Sequence, residues 1–199
     1  NDDNSGTCTG WCGDPQGFDS MVSVALDPGT YYIAVQASSY VPSSTGPYVI
    51  RVCCDPGIRI NEILYDTAGT DSDTFTELYG PAGFSLDGMS LIGLNGARDC
   101  DVYTTIALDG YTIPADGLFV IAQDITVPNY DATDSSIDWQ NGADSVQLLY
   151  GEEVIDAVGY GDFTDDCFAG EGDPTVDVDA DNSLSRYPDG ADTNNNDDD

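Results

Sequence analysis

Ser145-Val146-Gln147-Leu148-Leu149-Tyr150-Gly151-Glu152-Glu153-Val154-Ile155-Asp156-Ala157-Val158-Gly159-Tyr160 decides the fold class. Two short runs rich in β-branched, apolar and aromatic residues flank Tyr150-Gly151-Glu152-Glu153, which reads as a hairpin turn. Outward from this stretch the same grammar repeats. Further strands are expected at Ile58–Tyr65, Phe75–Tyr79, Met89–Asn95, Tyr103–Leu108, Leu118–Ala122 and, briefly, Ser183–Tyr187. Each is bounded by Gly, Pro, Asp or Asn, and helical periodicity is almost absent. Seven or eight short strands over about 130 residues match an immunoglobulin-like sandwich by count and spacing.

Upstream, strands are expected at Met21–Leu26, Thr30–Ala37 and Tyr48–Cys53, with Asp27-Pro28-Gly29 as a turn. Asp55-Pro56-Gly57 then punctuates the chain. Six acidic residues and one arginine precede Ile58, whereas 31 acidic residues and three arginines follow from it. The expected organisation is therefore a small, incomplete β-sandwich over 1–54, a linker at 55–57, and a second sandwich with an acidic C-terminal segment over 58–199. From Asp162 onward, 13 of 38 residues are acidic and apolar patterning stops. Such a stretch cannot bury enough surface to fold unaided, so it must be disordered or pinned by the sandwich, a disulfide and ions.

The 199 residues carry 37 acids, four arginines, no lysine and no histidine, a formal net charge of −33. That balance argues against nucleic acid, whose phosphates need clustered cations, and against anionic membranes, which recruit polybasic segments. It favours divalent cations, basic surfaces or simple solvation at high salt. Without histidine there is no Ser-His-Asp or Cys-His nucleophile and no HExxH zinc site; without lysine there is no P-loop or Schiff base. Any enzyme here would run on carboxylates alone. Glu62 and Glu77, on neighbouring expected strands, are the pair to consider, against the plainer reading that each is solvated or meets Arg59 or Arg186.

Six cysteines are present: Cys8, Cys12, Cys53, Cys54, Cys100 and Cys167. Adjacent Cys53 and Cys54 chelate one tetrahedral ion poorly, which favours three disulfides in an oxidising compartment. Cys100 and Cys167, both in polar loops of the later half, are expected to pair. The first four then pair among themselves, tying the Cys8–Cys12 loop to the Cys53–Cys54 strand end. No apolar run approaches a membrane span. The opening Asn1-Asp2-Asp3-Asn4 is not a signal peptide, so the chain is expected to be a mature or excised portion of a longer secreted protein.

Residues 58–196 resemble a lamin-tail domain of the kind found in multidomain secreted bacterial proteins. The segments that carry the likeness occur in order: Ile60-Asn61-Glu62-Ile63-Leu64-Tyr65-Asp66, Glu77-Leu78-Tyr79-Gly80-Pro81 and Leu86-Asp87-Gly88-Met89-Ser90-Leu91. Then come Ile113-Pro114-Ala115-Asp116-Gly117-Leu118-Phe119-Val120-Ile121, Gln140-Asn141-Gly142-Ala143-Asp144-Ser145-Val146-Gln147-Leu148, Asp156-Ala157-Val158-Gly159-Tyr160 and Ser183-Leu184-Ser185-Arg186-Tyr187-Pro188-Asp189-Gly190-Ala191-Asp192-Thr193. The resemblance implies an immunoglobulin-like sandwich that serves as an accessory or interaction module with no activity of its own. Residues 1–54 resemble the closing half of a bacterial pre-peptidase C-terminal domain, through Leu26-Asp27-Pro28-Gly29-Thr30-Tyr31-Tyr32-Ile33-Ala34-Val35 and Gly46-Pro47-Tyr48-Val49-Ile50-Arg51-Val52. That family implies a small β-sandwich, calcium-binding in some members, whose opening strands this chain lacks. Its missing strands are expected from a neighbouring subunit or from an upstream segment.

Calcium is the one cofactor the residues suggest. Asp177, Asp179 and Asp181 alternate as in the first half of a calcium loop, although the Gly and Glu of an EF-hand do not follow. Asp192 and Asn194, and Asp2 and Asp3, are further candidates, each weighed against an exposed acidic loop. Trp11 and Trp139 sit in polar loops, where a contact at a sandwich end is expected for Trp139. The function expected is that of a non-enzymatic extracellular structural or adhesive module, calcium-supported, partnered with copies of itself or adjacent segments of the same polypeptide. The alternative is a carbohydrate- or mineral-binding accessory region of a larger secreted hydrolase, with a glycan as partner.

Overall fold

In a computed structural model of the chain, residues 56–164 and 167–199 are described. The expectations for residues 1–54, including Asp2, Asp3, Cys8, Cys12, Cys53, Cys54, Trp11 and the upstream strands, lie outside them. The hairpin quoted first is formed by β7 (Asp144–Tyr150) and β8 (Glu153–Tyr160), with Tyr150 opposite Glu153 and Gly151-Glu152 as the two-residue loop. Gly151 has φ 62°, a conformation that a side chain would resist and that short hairpin loops require.

The remaining strands are β1 (Arg59–Leu64), β2 (Phe75–Tyr79), β3 (Met89–Asn95), β4 (Asp101–Ala107), β5 (Leu118–Ala122), β6 (Ala132–Thr133) and β9 (Leu184–Ser185). They form two sheets, a five-stranded one ordered β6-β5-β2-β1-β9 and a four-stranded one ordered β4-β3-β7-β8. The described residues are all-β, a sandwich of these two sheets. Eight strands fall where the sequence places them, to within three residues at either end. The sequence reading misses β6, whose two residues pair in parallel with Ile121 and Ala122 and are too few to show any periodicity.

Both inner faces meet in one apolar core. Ile63, Leu78, Phe119 and Ile121 come from the first sheet, and Leu91, Ile106, Val146, Leu148 and Val158 from the second. Trp139 is 1% exposed, and its indole N–H donates to Thr76 Oγ1 at 2.8 Å. It is a core residue with a satisfied donor and not the end contact expected of a loop tryptophan. Tyr65 and Tyr160 stack at 4.3 Å between ring centroids. Cys100 and Cys167 are disulfide-bonded, as their positions suggest.

The acidic segment is built into the sandwich. β8 is an end strand of its sheet, yet six of its eight residues are buried, because the segment covers it. Thr175 N–H donates to Gly159 O, and Gly161 N–H to Thr175 O, at 2.9 and 3.0 Å. The side chain of Asn196 completes the edge. Its Nδ2 donates to Ala157 O, and its Oδ1 accepts from Gly159 N–H and Glu171 N–H, all at 2.9 Å. The approach depends on glycine: a Cβ on Gly159 would collide with the Phe168 ring, and one on Gly170 would stand 2.6 Å from Gly159 N. Polar bonds along a strand edge thus hold a segment that apolar patterning cannot.

Candidate functional site

A bulge in β1 begins the site. Ile60 pairs with Leu78 and Glu62 with Glu77, so Asn61 is the extra residue and buries beside Ile60. Its side chain then reaches in two directions, donating to Glu77 Oε1 and accepting from Gly190 N–H, both at 2.8 Å. Its carbonyl accepts from Arg186 N–H at 2.8 Å, which draws the chain after β9 across the end of β1.

That path delivers Arg186, 5% exposed, into a cluster of carboxylates. The guanidinium Nε donates to Ile60 O at 2.9 Å and Nη1 to Ala191 O at 2.7 Å. Nη2 donates to Asp156 Oδ1 at 3.0 Å, and Nη1 also meets Asp199 Oδ2. Asp192 Oδ1 stands 3.5 Å from Nη1 and Glu171 Oε2 3.8 Å from Nη2. Arg59 closes the other side, its Nε donating to Asp192 Oδ2. Two guanidinium groups therefore face four carboxylates.

Asp156 lies in the middle of β8 and is fully buried, its Oδ2 accepting from Ile60 N–H at 2.6 Å. Burial lifts its carboxyl to about 7, against the pull of Arg186, the Ile60 N–H and Arg59. Glu171 is 3% exposed, and its Oε2 has no hydrogen-bond partner. Burial first, then the charges of Asp156 and Asp192, push its carboxyl up to about 8 in spite of Arg186. Carboxylate oxygens of Asp156, Glu171 and Asp192 all lie within 4.8 Å of one another, the one such convergence of three possible ligands among the described residues.

The structure distributes the residues suggested by sequence differently. Asp192 belongs to this cluster, while Asn194 is exposed and its N–H donates to Asp192 Oδ1 at 2.9 Å. Asp177 Oδ1 accepts from the Tyr65 hydroxyl at 2.6 Å, and Asp181 Oδ1 accepts from Ala68 N–H at 2.9 Å. Asp179 contributes its carbonyl, which accepts from Asn182 Nδ2 at 2.9 Å. Asp177 and Asp181 thus fasten the acidic segment to residues 65–68, whereas Asp179 serves a turn within the segment. Glu62 and Glu77 stand opposite each other across β1 and β2, and Glu77, half-buried, is bonded to Asn61 rather than to an arginine.

Asp156, Glu171 and Asn196 were not singled out from the sequence. A carboxylate inside the apolar run Val154-Ile155-Asp156-Ala157-Val158 was the available signal, since a buried acid needs a partner. Arg186, one of only three arginines after Ile58, was the natural one to seek.

No family model matches the chain, and no curated protein matches it significantly. Among the described residues no helix is long and apolar enough to cross a membrane.

Proposed function

We propose that the chain is a non-enzymatic structural or adhesive module of an extracellular assembly, an immunoglobulin-like sandwich of lamin-tail type supported by calcium. The observation that carries this reading is the unequal treatment of the sheet edges. β6 and β9 are two residues each, too short to template another strand, and β8 is covered by the acidic segment. β4 is seven residues long, and among the described residues only β3 pairs with it. Its run Val102-Tyr103-Thr104-Thr105-Ile106-Ala107 has no charge and no proline, the devices that normally keep an edge from pairing. A bulge accommodates Tyr103 at one end and leaves Thr104–Ala107 in regular register. Addition of a strand from a neighbouring polypeptide is the use such an edge suits.

The lamin-tail reading draws support from the placement of its motif segments, which supply β1, β2, β3, β5, β7, β8 and β9 in order. The disulfide is compatible with an oxidising, extracellular setting. The crevice beside Arg186, about 60 Å³, is far smaller than the ~300 Å³ or more of small-molecule sites. The test is substitution at the edge. Thr105→Lys places a charge on β4 without touching the core, and it is expected to abolish assembly while leaving the melting temperature unchanged. Assembly that persists in this variant rejects β4 as the joining edge.

A second reading, glycan binding, draws on Tyr187, a residue 89% exposed whose aromatic ring suits stacking on a sugar. Polysaccharide co-sedimentation of the full chain, with Tyr187→Ala as control, separates it from the first.

A further inference from the structure

We infer that Asp156, Glu171 and Asp192 form a binding site for a hard divalent cation, of which calcium is the best fit, and that the cation fastens the acidic segment to β8. The inference rests on the calcium-supported reading above and gives it a location, one that differs from the alternating aspartates of the sequence.

Three observations converge. The first is geometric. Two oxygens bound to one calcium ion at about 2.4 Å lie at most about 4.8 Å apart, and one carboxylate oxygen from each of Asp156, Glu171 and Asp192 falls within that span. The second is the state of Glu171, a member of this convergence, whose side chain is 3% exposed and whose Oε2 has no hydrogen bond of its own. Arg186 Nη2, at 3.8 Å, is too far to donate to it. A buried carboxylate oxygen without a donor carries the full cost of its lost hydration, and a ligand at that oxygen would relieve it. The third is charge. Four carboxyl groups, those of Asp156, Glu171, Asp192 and Asp199, face two guanidinium groups, so with all four ionised the excess is two negative charges, the charge that one divalent ion neutralises.

The chemistry of the donors selects the ion. All three are carboxylate oxygens, which suits calcium, magnesium or manganese and disfavours zinc or copper. Magnesium demands near-ideal octahedral geometry and keeps several waters, whereas calcium accepts irregular oxygen sets in confined places. A proton on Glu171 is the competing neutraliser. A proton bridges two oxygens, so the convergence of three favours the ion. Glu171 and Asp192 belong to the acidic segment and Asp156 to β8, so the ion would cross-link the cover strand to the sheet it covers.

The experiment is thermal melting of the full chain at fixed ionic strength in calcium, in magnesium and in chelator, with wild type compared with Glu171→Gln. Calcium is expected to raise the wild-type midpoint by several degrees, and magnesium by less. Glu171→Gln is expected to lose the calcium shift. A full calcium shift in Glu171→Gln places the stabilising ion elsewhere and overturns the site while sparing the calcium-supported reading. No response of wild type to either ion overturns both. Should Glu171→Gln not fold, Glu171→Asp keeps the charge and withdraws the oxygen by one methylene. Its calcium affinity, by titration calorimetry, is then expected to fall by about tenfold or more, and an unchanged affinity overturns the site.

Discussion

Asp156 and Arg186 form an ion pair at 3.0 Å with side chains 0% and 5% exposed, joining the middle of β8 to the chain just beyond β9. Both are also bonded to the backbone of Ile60, so one pair ties three segments together. Removing one member of such a pair strands the other, at a typical cost of about 3–5 kcal/mol. Arg186→Met is therefore expected to lower unfolding stability by about that amount at pH 8, read from the urea midpoint. A change below about 1 kcal/mol makes the pair incidental.

Asn196 carries the cover of β8 on one side chain. Asn196→Ala removes its bonds to Ala157 O, Gly159 N–H and Glu171 N–H. The expected result is much faster amide exchange at Gly159 and Glu171, with exchange in β3 and β7 unaltered. Unchanged exchange at Gly159 means that the Thr175 bonds hold the edge without it.

Asp144 gives the pH dependence its sharpest test. The residue is 2% exposed at the start of β7, and Gly96 N–H donates to its Oδ1 while Oδ2 has no partner. Burial raises its carboxyl to about 6, against the Gly96 N–H and the nearby Tyr103 hydroxyl. The folded chain thus keeps a proton that the unfolded chain releases from about pH 4 upward. The contribution of Asp144 to stability must fall by about 2–3 kcal/mol as pH rises from about 4 to about 6 and level off above. Asp144→Asn is expected to abolish that part of the slope and to be the more stable protein at pH 8. Parallel pH profiles for the two proteins contradict this assignment.

The Cys100–Cys167 bond closes a loop with a sequence separation of 67. Chain entropy gives such a bond about 4 kcal/mol. Replacing both cysteines with serine is expected to cost about this much and to raise exchange first in residues 167–172.

Most of the sandwich was legible because its strands alternate between turn residues that have physical reasons to be there. Leu118–Ala122 and Met89–Asn95 are read to the residue. What the sequence hid is held by polar bonds between distant segments. Asn196, in a run of Asn and Asp, looks like solvated chain, and only the fold brings it to Gly159, 37 residues away. The alternating Asp177, Asp179 and Asp181 form a persuasive local pattern, but their backbone path spends them on Tyr65, Asn182 and Ala68 instead. Glu171 carries no local mark at all. Its environment is assembled from β8, the arginine after β9 and the last residues of the chain.

Sedimentation velocity of the full chain in calcium, over a wide range of protein concentration, tests the assembly reading most directly. The account predicts discrete species larger than a monomer for wild type, and a monomer for Thr105→Lys under the same conditions. A wild-type chain that sediments as a monomer at every concentration, with calcium present, contradicts it.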